Sequence, residues 1–236
     1  MKGGGHRSSG CLTDKYEHMK TIIRITAGFC IAFSILSCES NSISPALPNA
    51  YFILSEGAKL KYFKEGIATD DVGTIRFEDT VHFTVNGDTL IDNLRYKKIL
   101  NEHGLIEKVV RKSGTQYFGR NHELYGGFSH EYMFLDESIP VNGSWEYLKQ
   151  EGHAKTEYVV KSIHDVYTVN GIQYKNVIEL DANYYTDYND GQNFELHYSA
   201  KHFYAPGVGE IYAFYPYPTS GWFCDIRYTL LSSQVN

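Results

Sequence analysis

The chain has 236 residues and is moderately acidic, with 22 Lys or Arg against 28 Asp or Glu and a formal net charge of −6 at pH 7. A protein with this balance lacks the cationic surface that displaces counterions from phosphates, so nucleic acid is excluded as a partner. Its length is enough for one domain with a packed core or for two small ones.

Residues 19–38, MKTIIRITAGFCIAFSILSC, have the pattern of a bacterial lipoprotein signal peptide. Lys20 and Arg24 give a basic start, residues 26–36 form an apolar run, and Cys38 follows branched and small residues as in a lipobox. The run is much shorter than the roughly 20 residues that a permanent membrane helix needs. We therefore expect cleavage before Cys38, acylation of its thiol (palmitate in the simplest case) and anchoring to the outer membrane, on the periplasmic or the surface face. An amphipathic or buried N-terminal helix is the alternative.

The predicted organisation of the chain has three parts. Residues 1–37 are a leader and signal peptide, and the polar, Gly-rich stretch 1–18 suggests that translation starts at Met19. Residues 38–50 are a tether and residues 51–236 a β domain. Since residues 1–37 carry five basic and two acidic residues, the mature chain has a net charge of −9.

Cysteine usage predicts a mature chain without internal disulfides. Cys11 and Cys30 are lost with the leader, Cys38 is taken by lipid, and Cys224 remains alone. No base or cation lies next to Cys224 in sequence, so an inert, buried thiol is the interpretation favoured over a nucleophile.

From residue 51 onward the chain is predicted to be strand after strand. Apolar Ile75, Phe77 and Val81 share one parity while Arg76 and Glu78 take the other, as in a strand with one buried and one solvated face. The predicted fold class is all-β: an antiparallel, meandering sheet curled into a barrel or half-barrel. The strand-like runs are 51–55, 59–64, 74–85, 90–100, 105–112, 116–125, 131–135, 144–150, 156–169, 172–185, 194–203, 210–215 and 222–231.

Four dipeptides mark predicted tight turns, because Asn-Gly and Asp-Gly tolerate the positive φ that hairpins require. They are Asn86-Gly87, Asn142-Gly143, Asn170-Gly171 and Asp190-Gly191.

A weak internal repeat suggests two similar halves, 51–136 and 143–236. FTVNG at 83–87 resembles YTVNG at 167–171, and GAKLKY at 57–62 resembles GSWEY at 143–147. Residues 137–142, which include Pro140, would then be the hinge. Chance reuse of hairpin sequences is the alternative.

Three segments of the second half resemble a group of uncharacterised lipoproteins from Bacteroidetes-type bacteria. They are GSWEY at 143–147, YTVNGIQYKNV at 167–177 and FYAPGVGEI at 203–211, which match a G-x-W-x-Y strand and a Y-A-P-G-V-G-x-I corner. The match covers roughly residues 143–212. It implies an envelope lipoprotein whose sheet is similar to the half-barrels of lipid-carrier lipoproteins, and it implies no reaction.

No catalytic or metal-binding pattern emerges, so the chain is predicted not to be an enzyme and to need no cofactor and no metal. His197 and His202 are five residues apart, on opposite faces of a regular strand, and His122 and His130 are interpreted as exposed strand residues. Residues 187–191 have oxygen-bearing side chains, but at spacings that miss those of a calcium loop.

Aromatic residues crowd the last third of the chain and are the candidate ligand-binding residues. Such rings suit both a sheet core and a groove for an apolar or amphipathic ligand. Residues 212–218 are predicted to be an exposed loop whose prolines hold rings outward. The candidates are Tyr204, Tyr212, Tyr215, Tyr217 and Trp222.

Two functions fit this pattern. The first is a non-enzymatic envelope lipoprotein that binds an apolar or amphipathic small molecule on a curved β-sheet. The second is a structural or accessory subunit that docks on another envelope protein. An open concave face would favour the first, and a filled core with a flat patch would favour the second.

Overall fold

The computed structural model describes residues 50–69, 73–123, 127–148, 153–187, 193–219 and 222–234, with only the backbone for 217–219 and 222–223. The signal peptide, Cys38, the tether up to residue 49 and the Asp190-Gly191 pair lie outside the described residues. Within these ranges the chain has no helix, and so none long enough to cross a membrane.

Twelve β-strands make up the described part of the chain. Strands that pair with each other run antiparallel, and most of the ladders contain a β-bulge or irregularity. They are β1 (Lys59–Thr69), β2 (Thr74–Ile91), β3 (Leu94–Leu100), β4 (Ile106–Ser113), β5 (Gln116–Asn121), β6 (Tyr132–Asp136), β7 (Ser144–Leu148), β8 (Ala154–Val169), β9 (Ile172–Thr186), β10 (Glu195–Ala205), β11 (Gly209–Thr219) and β12 (Trp222–Gln234).

The strands form one sheet that is nearly closed into a barrel. Each of β1 to β6 pairs with its sequence neighbour, as does each of β7 to β12, and β1 pairs with β12. The two edges of the sheet are therefore β6 and β7, and the seam between them has no backbone ladder. Across it, the indole Nε1–H of Trp145 donates a hydrogen bond to the carbonyl oxygen of Met133, at 2.9 Å. The predicted antiparallel, all-β barrel is confirmed.

Residues 137–142 join the two edges of the sheet, where the sequence placed a hinge between two halves. Each half contributes six strands in a meander. Whether the halves descend from a duplicated sequence stays a prediction.

Two of the predicted turns are confirmed and one is wrong. Asn170-Gly171 connects β8 to β9 with φ of 50° and 76°, and Asn142, at φ 67°, precedes β7. Asn86-Gly87 instead lies inside β2, where the register with β3 shifts between Val85 and Asp88. This glycine serves a bulge, and the chain turns later, at Asp92-Asn93.

The loop predicted at 212–218 is wrong, because these residues belong to β11. Pro216 and Pro218 pair in register with Asp225 and Phe223 of β12. Pairing with β10, in contrast, ends at Phe214. Proline lacks an N–H, so it is tolerated in a strand that has a neighbour on only one side.

The strand predicted at 51–55 is also wrong, since residues 50–56 belong to no strand, and the chain first bonds to the sheet where Gly57 and Ala58 hydrogen-bond to Val85 of β2. Gly207 N–H donates to the carbonyl oxygen of Ala50 at 2.6 Å. The backbone N–H of Tyr51 donates to the Tyr117 hydroxyl at 2.8 Å, and its own hydroxyl donates to the carbonyl oxygen of Asn176 at 2.7 Å. The start of the segment is thus hydrogen-bonded to the β10–β11 connection, to β5 and to β9, which hold it in place.

Phe52 is the plug of this closed end. Its side chain is buried and meets the Phe134 ring edge-on, with centroids 5.7 Å apart. A Cβ atom at Gly209 would lie 3.6 Å from the Phe52 ring, and the φ of Gly209 is 107°, so the Pro-Gly corner before β11 packs here with glycine geometry.

Phe52→Ala is expected to lower the free energy of unfolding by about 3–5 kcal/mol, because it removes a buried ring and leaves a cavity. Urea unfolding followed by tryptophan fluorescence measures this. Leu90→Ala is the control, since Leu90 is 69% exposed, and it should change stability by less than about 0.5 kcal/mol. Equal effects of the two substitutions would contradict the plug.

Candidate functional site

The interior of the barrel contains an open cavity of about 510 Å³. Its apolar side is formed by Phe52, Leu60, Phe83 and Ile99, which come from the plug and from β1 to β3. The rest of its wall is rich in tyrosine and carries a few charged or polar groups: Tyr62, Glu107, Lys108, Asn121, His122, Tyr132, Tyr184, Tyr198, Glu210, Tyr215 and Tyr228.

A second cavity of about 580 Å³ adjoins the first at the seam. The two cavities share Asn121, Tyr132 and Tyr184 in their walls, so they lie next to each other. Tyr132 of β6 and Tyr147 of β7 face each other across the seam with ring centroids 5.8 Å apart. The remaining wall of this seam cavity is more polar: Glu123, Phe128, Ser129, His130, Thr156 and Tyr158.

Two alanines of the inward face pack against the tyrosine rings of the cavity wall. Ala182 of β9 pairs in register with Tyr158 of β8 and with Ala200 of β10, and both alanines are fully buried. Alternation in a strand then turns the larger Tyr184 and Tyr198 to the same face. Their rings stack with centroids 4.4 Å apart. The alanines are covered by these rings, so Tyr184 and Tyr198 form the surface that faces the cavity.

Burial keeps the hydroxyls of Tyr132 and Tyr158 protonated at neutral pH. Burial, aided by the negative charge of Glu210, raises the pKa of Tyr132 to about 12. Burial also raises the pKa of Tyr158 well above its ordinary value. Tyr132 donates its proton to Oδ1 of Asn121, at 3.1 Å.

Glu210 on β11 is the largely buried carboxylate of the cavity wall. One of its oxygens lies 2.6 Å from Nδ1 of His202, and its side chain is 18% exposed. Burial pushes the pKa of Glu210 up, but the hydrogen bond from His202 and the nearby charge of Lys108 outweigh this, so its pKa lies below the ordinary value. The carboxylate is therefore ionised at neutral pH.

His202 lies behind the cavity wall and has one buried polar atom without a partner. Its Nε2 makes no hydrogen bond within the described part of the chain. The ring packs edge-on against Tyr215, with centroids 5.2 Å apart. Its other nitrogen anchors Glu210, which gives the residue a structural role in positioning the carboxylate.

Lys108 on β4 is the cation of the cavity wall. Its Nζ lies 5.6 Å from the centre of the Phe52 ring and 6.0 Å from that of Phe134, both within the range of cation–π attraction. Among the described residues no carboxylate oxygen lies within 4 Å of it.

Of the sequence-predicted binding residues, the structure places Tyr215 in the wall of the cavity. Tyr204 is buried in the core, with its ring centroid 6.2 Å from that of Phe134. Tyr212 packs against Phe203, in register across from it, on the opposite face of the sheet. The side chains of Tyr217 and Trp222, and the whole of Cys38, lie outside what the structure describes.

Sequence reasoning missed Glu210, Lys108 and the aromatic residues that the first half of the chain contributes to the cavity. The only signal for them is strand parity, and parity changes at each bulge. The register of β10 with β11 shifts between Phe203 and Tyr204, and the extra residue on β11 places Glu210 on the opposite face from Tyr212. When the strand pairing is not known, Glu210 and Lys108 cannot be told apart from other polar residues of alternating strands.

One polar cluster on the outer face of the sheet contains the residue types of a serine hydrolase: Ser162, His164 and Glu179. Ser162 Oγ lies 2.8 Å from Nε2 of His164, and the same Nε2 lies 2.9 Å from a carboxylate oxygen of Glu179. A hydrolase relay needs serine and acid on opposite nitrogens of the imidazole, so that a proton can pass through the ring. Here both partners share one nitrogen, and the arrangement cannot relay a proton.

Metal ligands do not gather in the described ranges: no group of three or more His, Cys, Asp or Glu side chains is placed to hold an ion. His197 lies at a bulge of β10, where the register shifts between Leu196 and Tyr198.

No protein-family model matches the chain, and no curated protein matches it. Two solved structures are similar to it. One is a candidate lipoprotein from Parabacteroides distasonis, with 11% identity and a TM-score of 0.37 over 79% of this chain and 99% of the other. The second is a candidate exported protein with a YmcC-like fold from Bacteroides fragilis, with 7% identity and a TM-score of 0.41 over 76% and 96%. Similarity this loose carries no function to this chain.

Glu210→Gln is expected to lower the free energy of unfolding at pH 7 by about 2 kcal/mol, because the hydrogen bond with His202 loses its charge. A lowered folded-state pKa means that the carboxylate contributes this stability above its unfolded pKa and loses it as the pH falls through the folded-state pKa. The difference between wild type and variant should therefore narrow as the pH falls below about 4.3.

Urea unfolding at a series of pH values measures this difference. Glu78→Gln, at an exposed position of β2, is the control and should change stability little at any pH. A wild-type advantage that stays constant down to acid pH would show that Glu210 is not held ionised by its surroundings.

Proposed function

We propose that the protein is a non-enzymatic envelope lipoprotein that binds an amphipathic molecule inside its barrel. The observation that carries the proposal is the pair of adjoining cavities behind the seam. Each of its two parts, about 510 and 580 Å³, is the size of a small-molecule site.

The chemistry of the wall supports an amphipathic ligand over a purely apolar one. At the plugged end the wall is Phe52, Leu60, Phe83 and Ile99, which favours a hydrocarbon chain. Toward the seam the wall carries Ser129, His130 and Thr156 together with Glu123, which favours a polar head. Tyrosines connect the two regions, and each offers an apolar ring with a polar tip.

Anchoring at Cys38 is the second part of the proposal, and it rests on the lipobox in the sequence. The described chain begins at the plugged end, where Ala50 is fixed by Gly207. A tether of twelve residues or so would connect this end to the outer membrane, on either face. The seam lies along the side of the barrel, and Tyr132 of β6 and Tyr147 of β7 line the cavity beside it.

Docking on another envelope protein is the alternative function, and one observation favours it. Strands β6 and β7 end the sheet without a ladder between them, and unpaired edges can accept a strand from a partner. The Trp145 side chain already bridges this edge, however, and the cavity behind it is open. A ligand inside the barrel therefore accounts for more of the described structure.

The binding proposal predicts that N-phenyl-1-naphthylamine, a probe that fluoresces in apolar surroundings, binds to the purified protein. The chain is purified with Cys38→Ser, so that no acyl chain competes with the probe. Tyr215→Ala removes a ring of the cavity wall and should weaken probe binding about fivefold. Tyr212→Ala, three positions earlier on the opposite face, is the matched control and should leave binding within about twofold.

Binding that neither substitution alters, or that only Tyr212→Ala weakens, would contradict a site inside the barrel. Absence of probe binding to the folded protein would overturn the binding function altogether.

The anchoring proposal predicts that cells fed a clickable palmitate analogue label this protein. Cys38→Ser should abolish the label, because the acylated sulfur is lost, while Cys224→Ser should leave it unchanged. Label retained after Cys38→Ser would place the acyl group on another residue, and a wild-type protein without label would show that the chain is not acylated.

A further inference from the structure

We infer that the ligand carries a single negative charge and that Lys108 binds it. The inference rests on the proposed function and names the class of ligand: an amphipathic monoanion, such as a long-chain carboxylate.

The charged groups of the cavity wall differ in whether the protein already provides a partner. Glu210 accepts a hydrogen bond from His202 at 2.6 Å. Glu107 and Glu123 are exposed, so solvent screens them. Lys108 is partly buried, and no carboxylate oxygen of the described residues lies within 4 Å of its ammonium group. Lys108 is thus the charged wall group whose partner the described protein does not supply.

Ring contacts compensate only part of this charge. The Lys108 ammonium lies over Phe52 and Phe134, at 5.6 and 6.0 Å from their centres. Cation–π attraction is weaker than a charge-assisted hydrogen bond to an anion. The rings also hold the ammonium at the cavity surface, where all three of its N–H groups remain as donors for a ligand.

Asn121 adds a second donor beside Lys108. The two residues are register partners on β5 and β4, and Asn121 lines both parts of the cavity. Its Oδ1 accepts the Tyr132 hydroxyl proton at 3.1 Å. The amide N–H groups are what this side chain has left to offer, so the wall of this cavity has an amide donor on the strand position next to the ammonium group.

The neighbouring carboxylate sets the charge of the ligand. Glu210 and Lys108 line the same cavity, and the charge of the ammonium helps to lower the pKa of the carboxyl group. The same proximity means that Glu210 repels an anion bound at Lys108, and it repels a dianion about twice as strongly. A monoanion with its chain along Phe52, Leu60 and Ile99 would pair with Lys108, and Glu210 would repel it less than it would repel a dianion.

Displacement of the bound naphthylamine probe by three molecules with the same twelve-carbon chain tests the inference. They are dodecanoate, dodecanol and dodecyltrimethylammonium, each below its micelle concentration, with protein carrying Cys38→Ser. Dodecanoate should displace the probe at a concentration about tenfold lower than dodecanol, and dodecyltrimethylammonium should be the weakest of the three.

The variants assign this preference to one side chain. Lys108→Met should make dodecanoate and dodecanol about equal, whereas Lys108→Arg should keep the preference. Glu210→Gln should strengthen dodecanoate binding, because it removes the repelling charge. Lys175→Met is the matched control, since Lys175 is an exposed lysine of β9, and it should change nothing. Circular dichroism confirms that each variant is folded.

Equal displacement by the anion and the alcohol, stronger displacement by the ammonium compound, or a preference that survives Lys108→Met would each overturn the inference. In all three cases the probe still binds, so the proposed function stands. Failure of the folded protein to bind the probe at all is a different result, which defeats the proposed function and this inference with it.

Discussion

The pairing of the first strand with the last is the interaction on which the rest of the structure depends. β1 and β12 pair along their whole length, from Lys59 with Gln234 to Thr69 with Phe223. This ladder joins two meanders of six strands that would otherwise be separate sheets. Because the chain closes at its ends, the break in the barrel falls in the middle of the sequence, between β6 and β7. The connection 137–143 and the Trp145 side chain then hold the two edges near each other.

A barrel closed in this way needs something to fill it, and this chain fills only one end. Residues 50–58 supply the plug, and Phe52 is its centre. Farther along, tyrosine side chains from several strands surround an open cavity of about 510 Å³. A fully packed interior would stabilise the fold by more, since apolar burial contributes about 25 cal/mol per Å². The hollow interior, with a lysine and a glutamate in its wall, is therefore the part of the structure best explained by a ligand.

Period-two alternation and Asn-Gly pairs were sufficient to predict the fold class and nearly every strand, because these signals are local. The errors have local causes as well. Asn86-Gly87 supports a bulge in place of a turn, and the prolines of β11 lie on a side without a neighbour. The site was largely beyond prediction, because it depends on which distant strands pair. Lys108 and Glu210 are ordinary alternating residues until the barrel closes, and Tyr212 and Tyr215 look equivalent until the register places them on opposite faces.

The central claim is that the interior of this barrel, behind the seam, is a binding site. A crystal structure of the protein with N-phenyl-1-naphthylamine tests it most directly. The account predicts density for the probe between Phe52 and the stacked pair of Tyr184 and Tyr198, with the β6–β7 seam beside it. Side chains collapsed into the interior, with the probe bound on the outer face near Tyr212 or nowhere, would contradict it.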